Sequence, residues 1–483
     1  MGLFGILLGL GILIWLSFRG WSVLVLTPAA ALIAALAAGE PLLAHWTQTF
    51  MDSAGGFLAQ FFPLFLLGAV FGKLMEDSGS VATIARFMTE RLGPRRAVLA
   101  VVLAGALVTY GGVSLFVAFF VLGPMAQALF RAADIPGRLM PAAIALGTTT
   151  FTMSALPGTP AIQNAIPMPF FGTTLFAAPG LGIIAALIML GFGLWWLARA
   201  EAAARRAGEG YGDALVVPDA AAENLLVRER ATTASSFDPV EVHRSSPSEE
   251  GPGILVAIFP LILVILVNLA MSMLVLPRLD TSFLAEARWG ETPLSAVSGV
   301  WSVIVALISA IAVLVALNYR RLPGLRATVD AGANASVLPV LSVASLVGFG
   351  AVVAAMPAFE AVRNWVLGIE GGPLVSLALA TNILAALTGS ASGGMTIALD
   401  ALGATYMQIA GEMGIDPALM HRVAVIGAGT LDSLPHNGAV VTLLAVCGST
   451  HRKSYFDIVM VAIVGAVLAL AAVIFLGSMF GSF

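Results

Sequence analysis

Charge is what this sequence has least of: only 10% of its 483 residues are Asp, Glu, Lys or Arg, against about 25% in an ordinary soluble protein. The 23 Lys and Arg are outnumbered by 27 Asp and Glu, so no basic field is available for a nucleic-acid partner. A single cysteine, Cys447, excludes a disulfide scaffold and a cysteine-ligated metal cluster. Enzyme signatures are missing as well. There is no GxxxxGK[ST] loop for a nucleotide-driven pump, no HExxH, and no Gly-x-Ser-x-Gly elbow. No cofactor or metal is expected. What is present is apolar: 59% hydrophobic residues and a mean hydropathy of +0.98. Runs of about 20 apolar residues recur along the chain, each enough to cross ~30 Å of hydrocarbon. These features imply an all-α polytopic membrane protein embedded in a lipid bilayer.

Full-length apolar segments lie at 2–18, 22–38, 56–72, 139–164, 180–198, 253–276, 293–318, 334–358, 422–448 and 456–480, which gives ten expected crossings. The first is read as retained, because no Lys or Arg precedes it as a signal peptide requires. The segments 139–164 and 422–448 are interrupted by Gly and Pro. Two further pairs, 97–110 with 115–130 and 373–388 with 396–410, are expected to be too short to cross, since sixteen helical residues span only ~24 Å. They read as re-entrant hairpins, 97–130 and 373–410, with two tilted short spans as the alternative. The stretch 199–252 holds 16 of the 50 charged residues and reads as a flexible linker. It divides a membrane repeat over 1–198 from a second over 253–483.

Lys and Arg placement sets the expected orientation. Nineteen fall on the linker's side, and only Arg278, Arg288, Arg363 and Arg422 on the other. The linker is therefore expected in the cytoplasm of a bacterial-type inner membrane, with both termini external. His421 is expected at the outer surface, and Glu76 and Asp77 in a solvated cytoplasmic connector. The halves resemble each other at an offset of 280: Ile135, Leu139 and Met140 match Ile415, Leu419 and Met420, while Gly123, Gly147 and Thr150 match Gly403, Gly427 and Thr430. Five crossings per half is odd, so the second copy is inverted, which is a secondary-transporter pattern.

Polar groups at membrane depth must line a cavity or pair. The hairpin tips supply Tyr110, Gly111, Gly112 and Ser114, then Ser390, Ser392, Gly393 and Gly394. The interrupted spans supply Thr152, Ser154, Gly158, Thr159, Gln163 and Asn164, then Asp432, Ser433, His436 and Asn437. Pro and Gly stop helices there and free amides and carbonyls. Helix-end amides attract a carboxylate, and hydroxyls or carbonyls hold a small cation or a polyol. No Lys or Arg lies in these stretches, so anion recognition is expected from helix ends and hydroxyls. Asp432 with His436 is the candidate for proton coupling. The threonines Thr148 to Thr150 have a plainer reading, as hydroxyls bonded back to their own helix. Sodium coupling, cation/proton antiport, a channel and an intramembrane hydrolase using Ser433 and His436 are the competing readings.

At the break Leu156-Pro157-Gly158-Thr159-Pro160, the stretch Gly429 to Gly438 and the two tips, the sequence resembles the gluconate:proton symporters of the ion-transporter superfamily. That resemblance implies a homodimer, each protomer with a scaffold domain and a transport domain working as an elevator. It implies organic acid substrates such as gluconate or 3-hydroxybutyrate, usually moved with protons. Those family members tend to carry a His and further Pro around the first break, where this chain has Met153-Ser154-Ala155 and Gln163-Asn164. That departure turns the expectation toward a shorter hydroxy acid.

Overall fold

A computed structural model describes residues 2–17, 21–212, 251–435 and 437–483. Every described element is helical. Two sixteen-residue helices, α1 (Gly2–Ser17) and α2 (Val23–Ala38), pack on each other and precede the long α3 (Leu42–Asp77). The amphipathic α4 (Ser80–Leu92) then meets α5 (Ala97–Tyr110) at 103° across Gly93. A tight turn joins α5 to α6 (Leu115–Ala132). The next apolar stretch is cut into short pieces, α7 (Met140–Thr148), α8 (Phe151–Ser154), α9 (Ile162–Ala165) and α10 (Pro167–Phe171), before α11 (Pro179–Arg206).

The later part begins with α12 (Ile254–Arg278), α13 (Leu294–Arg321) and α14 (Leu325–Ala355). The short α15 (Phe359–Leu367) leads to α16 (Pro373–Thr388) and α17 (Ala391–Met413). A second broken stretch comprises α18 (Pro417–Leu431) and α19 (Gly438–Val446), and α20 (His451–Phe480) completes the fold. Helix starts follow local chemistry. Asp416, Ser390 and Asn437 each accept a backbone N–H at the N-terminus of α18, α17 and α19. Gly389 closes α16 at φ 64°, a conformation that disfavours any residue with a Cβ.

Helices α3 and α14 make the most extensive helix pair, and Gly332 lets them approach closely: a Cβ there would stand 2.7 Å from Val70 Cα. Outward faces remain apolar, as Leu255, Leu266 and Met273 of α12 illustrate. By length and composition seven described helices can cross a bilayer, or eight if the bent pair α4–α5 is one span. This differs from the ten expected crossings. The helices α1 and α2 are shorter, and the two interrupted segments contain no single helix of sufficient length. Conversely α6, expected as an arm too short to cross, has 18 residues and qualifies. The start of the expected linker continues α11 through Arg206, while 213–250 lies outside the described residues. Beyond that helix, Arg138 pairs with Glu209 at 2.9 Å and Asp457 at 2.8 Å, and the bond to Glu209 is the main reason its pKa is raised.

Candidate functional site

The turn after α5 and the break after α8 enclose a cavity of about 60 Å³ against one side of α3. Its walls are Leu64, Phe65, Gly68 and Ala69 from α3, Thr109 and 112–115 from the turn, and Met153 with 160–163 from the break. Two polar atoms there are shut from solvent and have no partner, Ser114 Oγ and Gln163 Oε1. Buried polar atoms are ordinarily hydrogen-bonded, and among the described residues these two are not, which makes the residues candidates for ligand contact. Gly112 stands at φ 92° with its α-carbon turned to Pro160: a Cβ would lie 2.7 Å from that ring. Turn and break are also tied directly, because the Tyr110 hydroxyl donates to the Pro157 carbonyl at 2.8 Å.

Other expected ligands are committed elsewhere. Thr152 donates to the Thr148 carbonyl at 3.0 Å and Ser154 to that of Thr150 at 3.0 Å. Thr148, Thr149 and Thr150 do the same with Ile144, Ala145 and Leu146. The plainer reading of these threonines therefore describes their bonding. Gly111 packs on Leu261, with room for no side chain: a Cβ would stand 2.2 Å from Leu261 Cδ2. The Gly158 amide donates to Leu175, and Thr159 Oγ1 accepts from Ala161 N.

Asn164 joins a buried network that corrects two expectations. Its amide nitrogen donates to the carbonyls of Thr159 and Leu175 at 3.1 and 3.0 Å, so its Oδ1 faces His421 and Arg422. His421 Nε2 accordingly donates to Asn164 Oδ1 at 3.2 Å, and its Nδ1 is hydrogen-bonded to Thr173 Oγ1 at 2.6 Å. Both ring nitrogens are engaged. Arg422 donates to Ala177 O through Nε and Nη2 at 3.2 and 2.8 Å, and through Nη1 to Ser154 O at 3.1 Å. Both residues are 0% exposed, not at an outer surface. The expectation that no cation stands by the breaks fails for the same reason: Arg422 begins the second interrupted span but reaches the first. Gly182 makes space for it, since a Cβ there would meet Ala155 O at 2.5 Å and Arg422 Nε at 3.3 Å.

The second turn and break form their own cluster. Asn437 Nδ2 donates to Gly389 O at 2.8 Å, and Ser390 Oγ caps Gly393 N at 3.1 Å beside Ser392. Gly394 crosses the backbone of Ala385 so closely that a Cβ would lie 2.2 Å from its nitrogen. Asp432 accepts from the Ser433 hydroxyl at 3.2 Å. His436 lies outside the described residues. The four polar stretches thus come together as two pairs, and the link between pairs runs through Arg422 and through Gly429, whose added Cβ would stand 3.1 Å from Ser154 Cβ.

Residues 1–203 match the family described as GntP family permease. Over 482 residues, 98% of each chain, the sequence is 39% identical to a Bacillus subtilis (strain 168) protein named as the uncharacterized transporter YxjC. The chain belongs to the GntP permease family. A further relative, the high-affinity gluconate transporter of Escherichia coli (strain K12), is 34% identical over 166 residues, 34% of this chain and 36% of that one. These relatives are transporters, not enzymes, and the apolar helices agree with a multi-pass membrane protein.

The sequence reading of this GntP permease missed a further polar cluster. Glu76 and Asp77, read as solvated, are 8% and 4% exposed, and Lys73 beside them is 0% exposed. Lys73 Nζ lies 3.0 Å from Glu76 and 3.6 Å from Asp77, and Thr328 donates to Asp77 at 2.7 Å, binding the end of α3 to α14. Their spacing of three and four residues puts all three on one helix face, a signal present in the sequence. Nothing comparable signals Arg422, whose partners lie 245 to 268 positions away.

Proposed function

We propose that this GntP permease is a proton-coupled symporter of a small organic acid anion, a hydroxymonocarboxylate such as 3-hydroxybutyrate or gluconate. The observation that carries this reading is the cavity between the first turn and the first break, whose lining includes Ser114 and Gln163, each with a side-chain oxygen that has no partner among the described residues. A hydroxyl and an amide suit a carboxylate and an α- or β-hydroxyl group. Room for a few water-sized groups favours the shorter acid. Asp432, bonded to the Ser433 hydroxyl, takes the proton in this scheme with His436, and the polar residues of the second turn and break complete the path.

The halves 1–198 and 253–483 are read as inverted copies flanking a cytoplasmic linker. Support comes from corresponding contacts: Gly147 lies against Val102 of α5, and Gly427, 280 positions on, lies against Ala378 and Thr381 of α16. In this reading the hairpins and breaks move past α3 and α14 as an elevator within a homodimer in the inner membrane.

The test is uptake of labelled 3-hydroxybutyrate into sodium-free proteoliposomes under an inward proton gradient, with excess gluconate as competitor. Gradient-dependent accumulation, abolished by Asp432→Asn, is the expected result. Accumulation driven only by sodium would overturn the proton assignment. Full proton-driven uptake by Asp432→Asn would remove that residue from the coupling step.

A further inference from the structure

We infer that Arg422 is the fixed positive charge by which the cavity at the first break selects an anion over a neutral molecule of the same shape. The inference rests on the acid-transport reading above and assigns its specificity to a residue outside the cavity lining.

Arg422 is fully buried, and its four hydrogen bonds end on neutral acceptors: the carbonyls of Ser154 and Ala177 and the amide oxygen of Asn164. The buried acids Glu76, Asp77 and Asp457 pair with Lys73 and Arg138 instead. Asp432 is bonded to Ser433. Among the described residues no carboxylate forms an ion pair with Arg422. His421 beside it is bonded to Thr173 Oγ1 and Asn164 Oδ1, and is not an anion. A buried charge lacking a counter-charge is unfavourable, and a guanidinium stays protonated at any working pH.

Its position supplies the direction. The two acceptors of Nη1 belong to Ser154 and Asn164, and their chain neighbours Met153 and Gln163 line the cavity. The guanidinium is thus bonded to the residues next in sequence to two that line the cavity, in a buried region where water screens poorly. A carboxylate entering the cavity completes the missing pair through space, while Ser114 Oγ offers it a short-range donor. Arg422 is thus a specificity-determining residue that acts through the field and not by contact.

The experiment measures ligand protection of the purified full chain against thermal unfolding in detergent, with 3-hydroxybutyrate, gluconate and 3-hydroxybutyramide. The acid is expected to protect at concentrations at least tenfold below those of its amide. Equal protection by acid and amide would overturn the inference in the wild-type chain alone. No protection by either acid would overturn the transport reading and this assignment with it. Arg422→Gln is expected to reduce the preference to within about twofold, and a retained tenfold preference there would overturn the charge role. Should that variant not fold, Arg422→Lys decides. It keeps the charge but not the double bond to Ala177, so it should keep the acid preference at lower stability. Loss of the preference in folded Arg422→Lys would mean that shape, not charge, does the selecting.

Discussion

At the first break five hydroxyls, from Thr148 to Ser154, turn back onto their own helix, and a buried guanidinium collects the carbonyls left over. At the second break the leftover carbonyls are met by side chains of α20, Tyr455 on Ser433 at 3.1 Å and His451 on Pro435 at 2.8 Å, while Asn437 of the break itself holds the Gly389 carbonyl of the turn. Both breaks face the same physical demand, since freed carbonyls in a low-dielectric interior must find donors. One answer brings in a permanent charge. The other holds Asp432, bonded to the Ser433 hydroxyl. In the proposed scheme the first break supplies a fixed field and the second takes the proton.

The comparison breaks most readily at Arg422. Arg422→Gln strips donors from three buried acceptors, at about 1–3 kcal/mol for each left unsatisfied, and should destabilise by about 3–5 kcal/mol, read as a lowered melting temperature in detergent. A loss below about 1 kcal/mol would show that the first break holds without its charge. Next in size is Gly147→Ala, whose Cβ would lie 2.4 Å from Val102 O, a backbone atom that cannot turn aside. A loss on the order of 2–3 kcal/mol is expected. Gly427→Ala should cost less, because its closest neighbour at 2.6 Å is the rotatable Thr381 hydroxyl. Equal losses would make the two halves equally tight. Asn437→Ala removes a helix cap together with the tie to Gly389, and about 1–2 kcal/mol is expected from the same melting curves. The smallest effect belongs to Ser114→Ala. Its hydroxyl has no partner, so stability should change by less than about 0.5 kcal/mol while the KM for the acid rises. A large stability loss with unchanged KM would make Ser114 structural.

The sequence was most informative where local chemistry decides the backbone. Gly111 to Ser114 and Gly389 stop helices because their residue types stop helices anywhere, and Pro157 to Pro160 permit no continuous helix. From that, Gly112, Ser114 and Gln163 could be named without knowing that they share a cavity. Charges at span ends were misread for an equally physical reason. Counting Lys and Arg assumes that a cation at the end of an apolar run meets water, and for Arg422 the tertiary fold substitutes carbonyls from residues 154 and 177. Thr152 and Ser154, read as ligand candidates, bond back to their own helix, because a hydroxyl that folds back on its helix looks in sequence like one that does not.

The clasp between Arg422 and the first break also orders events during synthesis. Ser154 and Ala177 leave the ribosome 245 to 268 residues ahead of their donor. At ordinary translation rates that gap lasts roughly 12–50 s. Throughout it the early half carries carbonyls that nothing in its own chain segment is arranged to satisfy. The first break reaches its finished form only when residue 422 arrives, so this half of the protein matures last at the point where it was made first.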